Sequence, residues 1–259
     1  MDLGLKGRMA LVTGASKGIG FACAEHLAQE GCDVTLVARN PAALDEACRR
    51  LAHLGVKVSS LAMDLADSAN VDRLAGKCGH VDILVNNAGS VPAGRVDEVD
   101  EARWRAAWDL KVFGYINMTR RFYAAMKARG GGTIVNIVGA GGERIDAGYI
   151  AGSSGNAALI AFTRAMGGAS AADNIRVTGI NPGPVLTERL ERLLQQRATA
   201  LHGAPERWRE LLAGLPFGRA ASPDEIGALA AFLASDRSGY TTGSMLTVDG
   251  GMGARGSAY

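Results

Sequence analysis

Thr13-Gly14-Ala15-Ser16-Lys17-Gly18-Ile19-Gly20 is the stretch on which the reading of this 259-residue chain turns. Residues 8–13 before it (Arg-Met-Ala-Leu-Val-Thr) form a short apolar run stopped by glycine, the pattern of a buried parallel strand. After it, Ile19, Cys23 and Leu27 recur on one face of a helix expected from Gly18 to about Glu30. A strand that turns through glycines into a helix brings backbone N–H groups to a helix N-terminus, where a pyrophosphate binds. A glycine cluster also makes tight turns with no ligand at all, so the rest of the chain must supply the context.

Working outward, residues 34–38, 56–63, 81–85, 133–138, 175–180 and 245–248 read as further strands. Helices are expected over 41–54, where Pro41 favours the first turn, over 101–128, ended by Gly130-Gly131-Gly132, and over 150–171. Strands alternating with helices predict an α/β fold: a Rossmann-type doubly wound parallel sheet in a three-layer αβα arrangement. No linker or repeat divides the chain, so residues 1–259 are expected to form a single domain. The polar, arginine-rich segment 188–215 is expected to cover the crevice at the carboxyl ends of the strands as a substrate lid.

Composition removes alternatives. At 47% hydrophobic and 21% charged, the chain has the make-up of a globular protein with a sizeable core. A net charge of +2 gives no basic field, which argues against nucleic acid as a partner. Cys23, Cys32, Cys48 and Cys78 have no metal spacing and are read as buried reduced thiols. His26, His53, His80 and His202 are scattered, so no metal is expected. No apolar run is long enough for a bilayer and no signal peptide is evident, so the expectation is a cytoplasmic protein without a membrane partner.

With the glycine loop in a βα turn, the chain resembles the short-chain dehydrogenase/reductase family across its whole length. The family's T-G-x-x-x-G-x-G is matched by Thr13 to Gly20, and its N-N-A-G by Asn86-Asn87-Ala88-Gly89. Pro182-Gly183 follows the sixth strand, Asp64-Leu65 the third, and Asp249-Gly250-Gly251 ends the last. The resemblance implies a dinucleotide held by Gly14, Ser16, Lys17, Gly18, Ile19 and Gly20. It further implies contacts from Asp64 and Leu65 to the adenine, and from Asn87, Ala88, Gly89, Pro182, Gly183, Val185 and Thr187 toward the nicotinamide side. NAD users of the family carry an acid at the end of the second strand; here Ala38 is followed by Arg39. Lys17 and Arg39 converging on a 2′-phosphate favour NADP(H), with NAD(H) open, although both are also readable as solvated surface cations.

The family's catalysis uses a tyrosine, a lysine four residues on, a serine and an asparagine. Counting back from Pro182-Gly183 without gaps places Asn156 at the lysine position and Gly152 at the tyrosine position. Gly139 falls at the serine position, thirteen residues before Gly152, and Lys111 at the asparagine position. All four depart from the pattern. An alternative register makes Tyr149 the catalytic tyrosine, with Ser153 where the lysine belongs. The replacement of two side chains by Gly139 and Gly152 predicts a roomier site; Trp208, Leu211, Leu212 and Phe217 are readable either as lining it from the lid or as ordinary packing residues.

Lys111 is readable in two ways: reaching across toward Asn156 to bond the nicotinamide ribose and lower the pKa of an acid such as Tyr149, or snorkelling from the helix to solvent. Three functions remain open: an NADP(H)-dependent oxidoreductase acting on a small carbonyl or alcohol with an atypical site, an inactive NADP(H)-binding homologue serving as sensor or partner subunit, and an enzyme of another class without net hydride transfer. By resemblance, the assembly is a homotetramer. Gly155, Ala158, Ala161 and Ala165 would permit close approach in its interface.

Overall fold

In the computed structural model, which describes residues 2–254, the strand expected before the glycine loop is β1 (Met9–Thr13) and the helix after it is α1 (Gly18–Gln29). The chain continues through β2 (Asp33–Ala38), α2 (Pro41–Leu51), β3 (Val58–Ala62), α3 (Ser68–Cys78) and β4 (Ile83–Asn86). Next come α4 (Glu101–Trp108), a π turn at Asp109–Phe113, α5 (Gly114–Ala128), β5 (Gly132–Ile137) and α6 (Ile150–Ser170). The order ends with β6 (Ile175–Pro182), α7 (Glu188–His202), α8 (Pro223–Ala234) and β7 (Met245–Val248).

The strands form one parallel sheet in the order β3-β2-β1-β4-β5-β6-β7. Strand order reverses between β1 and β4, and the loops leaving their carboxyl ends diverge to open a crevice there. Neighbouring residues of one strand feed opposite cores because strand side chains alternate. Val12, Leu36, Val85 and Ile180 pack with Leu27 of α1, Leu44 of α2 and Leu233 of α8. Leu11, Val37, Leu84 and Val177 face the other way, against Leu74 of α3 and Met118 and Phe122 of α5. Both faces being covered explains why these strands are nearly continuous apolar runs.

Three differences from the sequence reading have local causes. The helices α3 and α8 were not singled out by periodicity, yet each start is marked. The Asp67 side chain accepts from Ala69 N, and Ser222 and Glu225 form a reciprocal capping box ahead of Pro223. The helix expected over 101–128 is interrupted by the π turn, which inserts an extra residue and re-aims the side chains at 109–113. Cys48 is half-exposed rather than buried, whereas burial pushes the Cys23 and Cys32 thiols up to about 12. Among the described residues, no helix is long and apolar enough to cross a membrane.

Candidate active site

The carboxyl ends of the strands around the β1/β4 switch open on a cavity of about 1260 Å³. That exceeds the roughly 300–1,000 Å³ of an ordinary small-molecule pocket. At one end lies the turn from β1 into α1. The Thr13 hydroxyl accepts from the backbone N–H groups of Asn87 (2.8 Å) and Ala88 (3.0 Å), and the Asn87 amide donates back to the carbonyls of Thr13 and Gly14. A Cβ on Gly20 would lie 2.4 Å from both the Gly14 carbonyl oxygen and Asn87 Nδ2. On Gly18, whose φ is +57°, it would lie 3.3 Å from the Thr187 methyl. The N-cap residue of α1, Lys17, makes no capping bond, and no acid occupies the first turn. Free N–H groups at a helix start, facing a cavity, fit a dinucleotide pyrophosphate.

The other end is built from β5, the π turn and the start of α6. Past β5 the chain turns at Gly139 with φ +138°, a conformation that L side chains rarely adopt. A Cβ there would lie 2.9 Å from Asn156 Nδ2. Tyr149 caps α6, its backbone held by Gly94, which donates to the Gly148 carbonyl at 2.7 Å and accepts from Ile150 N. Tyr149 packs against the small cluster of Val91, Ala107 and Ala151, as does Trp104. A Cβ on Gly152 would lie 2.0 Å from Tyr149 Cε1 and Cζ. The space freed at 152 is therefore filled by the Tyr149 ring and that at 139 by the Asn156 amide, which corrects the expectation of a roomier site.

Lys111 sits in the π turn. Its stem lies over Gly89, where a Cβ would come within 2.8 Å of Lys111 Cδ, and its Nζ donates to the Val138 carbonyl at 2.6 Å. Burial pulls its pKa down to about 8, and the nearby Arg189 guanidinium adds to the shift. The expected direct bond to Asn156 is not formed among the described residues; the buried Asn156 Oδ1 has no partner. Lys111 nevertheless faces the cavity beside Tyr149, Asn156 and Gly139 rather than bulk solvent.

Most of the expected cofactor residues converge here. Gly14, Lys17, Gly18 and Ile19 line the cavity, as do Asn87, Ala88 and Gly89, and Pro182, Gly183, Val185 and Thr187. Ser16 and Gly20 stand behind the turn, outside the lining. Arg39 and Asp64 are exposed at the ends of β2 and β3, Leu65 is buried in the core, and none of the three lines the cavity. Lys17 is paired with Glu188 at 2.6 Å instead of converging with Arg39, because the first turn of α7 lies against the glycine loop. Nor do Trp208, Leu211, Leu212 and Phe217 line it. Trp208 is buried, and Phe217 is 86% exposed beside a separate small cleft. The contact from segment 188–215 comes instead from α7, through Arg189, Arg192 and Leu193.

Two features escaped the sequence reading. Beneath the site, Asn86 of β4 donates to Asn136 of β5 at 2.9 Å, and Asn136 donates to Thr163 of α6 at 2.9 Å. This buried chain ties two strands to the helix that carries Tyr149 and Asn156. Its signal was an asparagine near the end of each of two adjacent strands, in register. The second is Arg189, which donates to the Val91 carbonyl at 2.7 Å from the lid side and has no motif to announce it.

Residues 14–253 match the family model described as enoyl-(acyl carrier protein) reductase. The chain is 34% identical to dehydrogenase/reductase SDR family member 4 of Caenorhabditis elegans, with 96% of each chain covered. It is 34% identical to an acetoacetyl-CoA reductase of Allochromatium vinosum, covering 95% of this chain and 98% of the relative. L-sorbose reductase of Gluconobacter frateurii, solved with NADPH and L-sorbose, superposes with a TM-score of 0.92 at 34% identity, covering 98% of this chain and 100% of that one.

Proposed function

The chain belongs to the short-chain dehydrogenase/reductase family of oxidoreductases, and from that premise we propose that it is an NADP(H)-dependent enzyme that interconverts a small carbonyl and its alcohol with a rearranged acid/base set. The observation that carries this reading is the Tyr149 ring standing in the volume of a side chain at 152 while lining the cavity beside Lys111. In this reading the Asn-Ser-Tyr-Lys set of the family is replaced by Tyr149, Lys111 and Asn156.

A dinucleotide held by the glycine loop, Asn87 and Thr187 would supply a hydride to the carbonyl carbon, or accept one from the alcohol. In the reducing direction, the Tyr149 phenol donates a proton to the carbonyl oxygen and recovers it from solvent through the open cavity. Lys111, fixed by the Val138 carbonyl, stabilises the phenolate left behind. Asn156 offers an amide next to Gly139, where the family pattern has a hydroxyl. In this reading segment 188–215 acts as the lid, a role supported by the first turns of α7 lining the cavity.

The proposal is tested by NADPH oxidation with a panel of carbonyl compounds. Simple neutral ketones are expected to turn over slowly. Tyr149→Phe should lower kcat/KM about 10²–10⁴-fold, the usual worth of acid/base help, with NADPH affinity unchanged. Turnover unaffected by Tyr149→Phe would remove the tyrosine from the mechanism. A protein that binds NADPH but oxidises it with no carbonyl compound would be the inactive homologue.

For the cofactor, Ala38 leaves no acid at the end of β2 and Arg39 beside it is exposed. Titration should show NADPH binding more tightly than NADH, with Arg39→Asp narrowing the gap. We further infer a homotetramer. Ala158, Ala161 and Ala165 form an exposed stripe on α6, whereas Gly155 belongs to the interior, against Trp108 and Val112. Light scattering that gives a monomer at micromolar concentration refutes it.

A further inference from the structure

The charged groups lining the cavity fall into two sets. Glu188 is engaged by Lys17 at 2.6 Å and by Arg192 at 3.8 Å. The carboxylates of Asp146 and Asp249 accept from nearby backbone N–H groups, Gly148 for the first and Gly251 and Gly253 for the second. Each acid thus has its partners near the rim. Lys111 and Arg189, by contrast, make no ion pair among the described residues. Their only protein acceptors there are the carbonyls of Val138 and Val91, one bond each. An ammonium has three donors and a guanidinium five, so most of their N–H groups remain for something else.

Lys111 is half-buried and Arg189, though exposed, lines the same cavity; a cation taken from water with no anion beside it carries a cost that a bound anion removes. The cost shows in Lys111, which holds its proton less tightly because of burial and of Arg189. Each side chain has one fixed protein partner. Lys111 is pinned over Gly89 and bonded to Val138, and Arg189 spans from the first turn of α7 to the loop after β4. Arg144 lines the same cavity on the side of Tyr149 and adds a third positive charge.

We propose that Lys111 and Arg189 bind an anionic group of the substrate, so that the compound turned over is a carbonyl or alcohol bearing a carboxylate or phosphate a few bonds from the reacting carbon. This rests on the oxidoreductase reading above and names the substrate class for it. Lys111 and Tyr149 line the same cavity, so in this proposal the reacting oxygen and the charged group share one cation. Arg189 is then the specificity residue, since it touches the anion alone. The arrangement also accounts for the slow turnover expected of neutral ketones, which leave both cations uncompensated.

The test uses the full-length protein saturated with NADP⁺ and measures binding by calorimetry. The probes are pyruvate, 3-oxobutanoate and dihydroxyacetone phosphate, each beside its neutral counterpart (methyl pyruvate, methyl 3-oxobutanoate and dihydroxyacetone). At least one anion should bind about tenfold or more tightly than its neutral partner, a difference of about 1.4 kcal/mol. That preference should shrink as salt rises and screening increases. Arg189→Met should abolish the preference of the anion over its neutral partner, and Arg189→Lys should retain most of it. The carboxylate and phosphate arms distinguish the two kinds of anion.

Equal binding of every charged and neutral pair overturns the proposal, as does an Arg189→Met variant that weakens both members equally. NADPH oxidation measured in parallel separates the two readings. An anion preference without turnover supports the site and sinks the oxidoreductase reading. Turnover of neutral compounds without anion preference does the reverse.

Discussion

At the glycine-loop end of the cavity, a Cβ on Gly20 would strike the Gly14 carbonyl and the Asn87 amide; at the far end, a Cβ on Gly152 would strike the Tyr149 ring. The first obstacle is backbone and a side chain laced into backbone, with nowhere to move. The second is an aromatic ring on a helix cap, which can swing. The same residue type therefore has different causes at the two ends. Gly20 is demanded by the fold and its close approach, whereas Gly152 has conceded its volume to a neighbour three positions earlier.

The comparison is broken most severely at Gly20. Gly20→Val should lose NADPH binding by more than about a hundredfold and cost about 1–3 kcal/mol or more of stability, the range for overpacking a closed site. Fluorescence titration and thermal melting check this. A folded variant with intact NADPH affinity would show that the Thr13–Asn87 lacing can yield, and the two ends would then be alike.

Next in size is the far end. Gly152→Ala should displace the Tyr149 ring and lower kcat/KM by about 10²-fold or more, at the lower edge of what acid/base help supplies. Its combination with Tyr149→Phe should cost little beyond either change alone, because both act on one ring. Additive losses would mean that Gly152 serves the site independently of Tyr149.

The difference between the ends also explains what the sequence disclosed. The loop end was legible because its constraints are local: a strand, a run of glycines at fixed spacing and a helix start lie within residues 9–20. Asn87 could be placed there only through the resemblance of Asn86-Asn87-Ala88-Gly89 to the family's motif, and the pairing of β4 with β1 is what brings it to the loop. At the far end, the positions of Gly139, Gly152, Asn156 and Lys111 were readable by counting, but what fills the vacated space was not. That depends on Tyr149 being held off the helix by Gly94, some fifty residues away in sequence. Likewise the π turn that aims Lys111 leaves no mark in a helical hydrophobic pattern, and Arg189 follows no motif. Trp208, Leu211, Leu212 and Phe217 were misplaced because polarity and helical period say nothing of which turn of a helix faces the crevice.

Lys111 gives a sharper, smaller effect through pH. Facing it are Arg189 from α7, Arg144 and Asp146 from the loop before α6, Tyr149 at the α6 cap and Asn156 on α6, with Tyr115 on its own helix. Its pKa of about 8 lies below the ordinary 10.5, so the folded state binds this proton less tightly than the unfolded chain. Stability should consequently rise as pH climbs from about 8 toward 10.5, and the rise should vanish in Lys111→Met. Binding of an anionic probe should move the opposite way, falling as pH passes through about 8 and Lys111 loses its charge. A pH-independent affinity over that window would separate Lys111 from the anion.

The smallest effect concerns the bridge between the two ends, the ion pair of Lys17 with Glu188. Both side chains are more than half exposed, so the pair contributes only about 0–1 kcal/mol to stability. Its consequence for binding is more informative than its contribution to the fold. Lys17 holds the Glu188 carboxyl below its usual range, and Arg192 leans on the same carboxylate. The first turn of α7 thus occupies the loop cation that a dinucleotide phosphate would also attract. Glu188→Gln should leave the melting temperature nearly unchanged and tighten NADPH binding about two- to fivefold, since roughly 0.5–1 kcal/mol of competing attraction is removed. The gain should disappear at high salt, where exposed pairs are screened. Weaker NADPH binding in the variant would give Glu188 the opposite role, that of orienting Lys17 toward the cofactor, and would make the lid helix part of the cofactor site instead of its competitor.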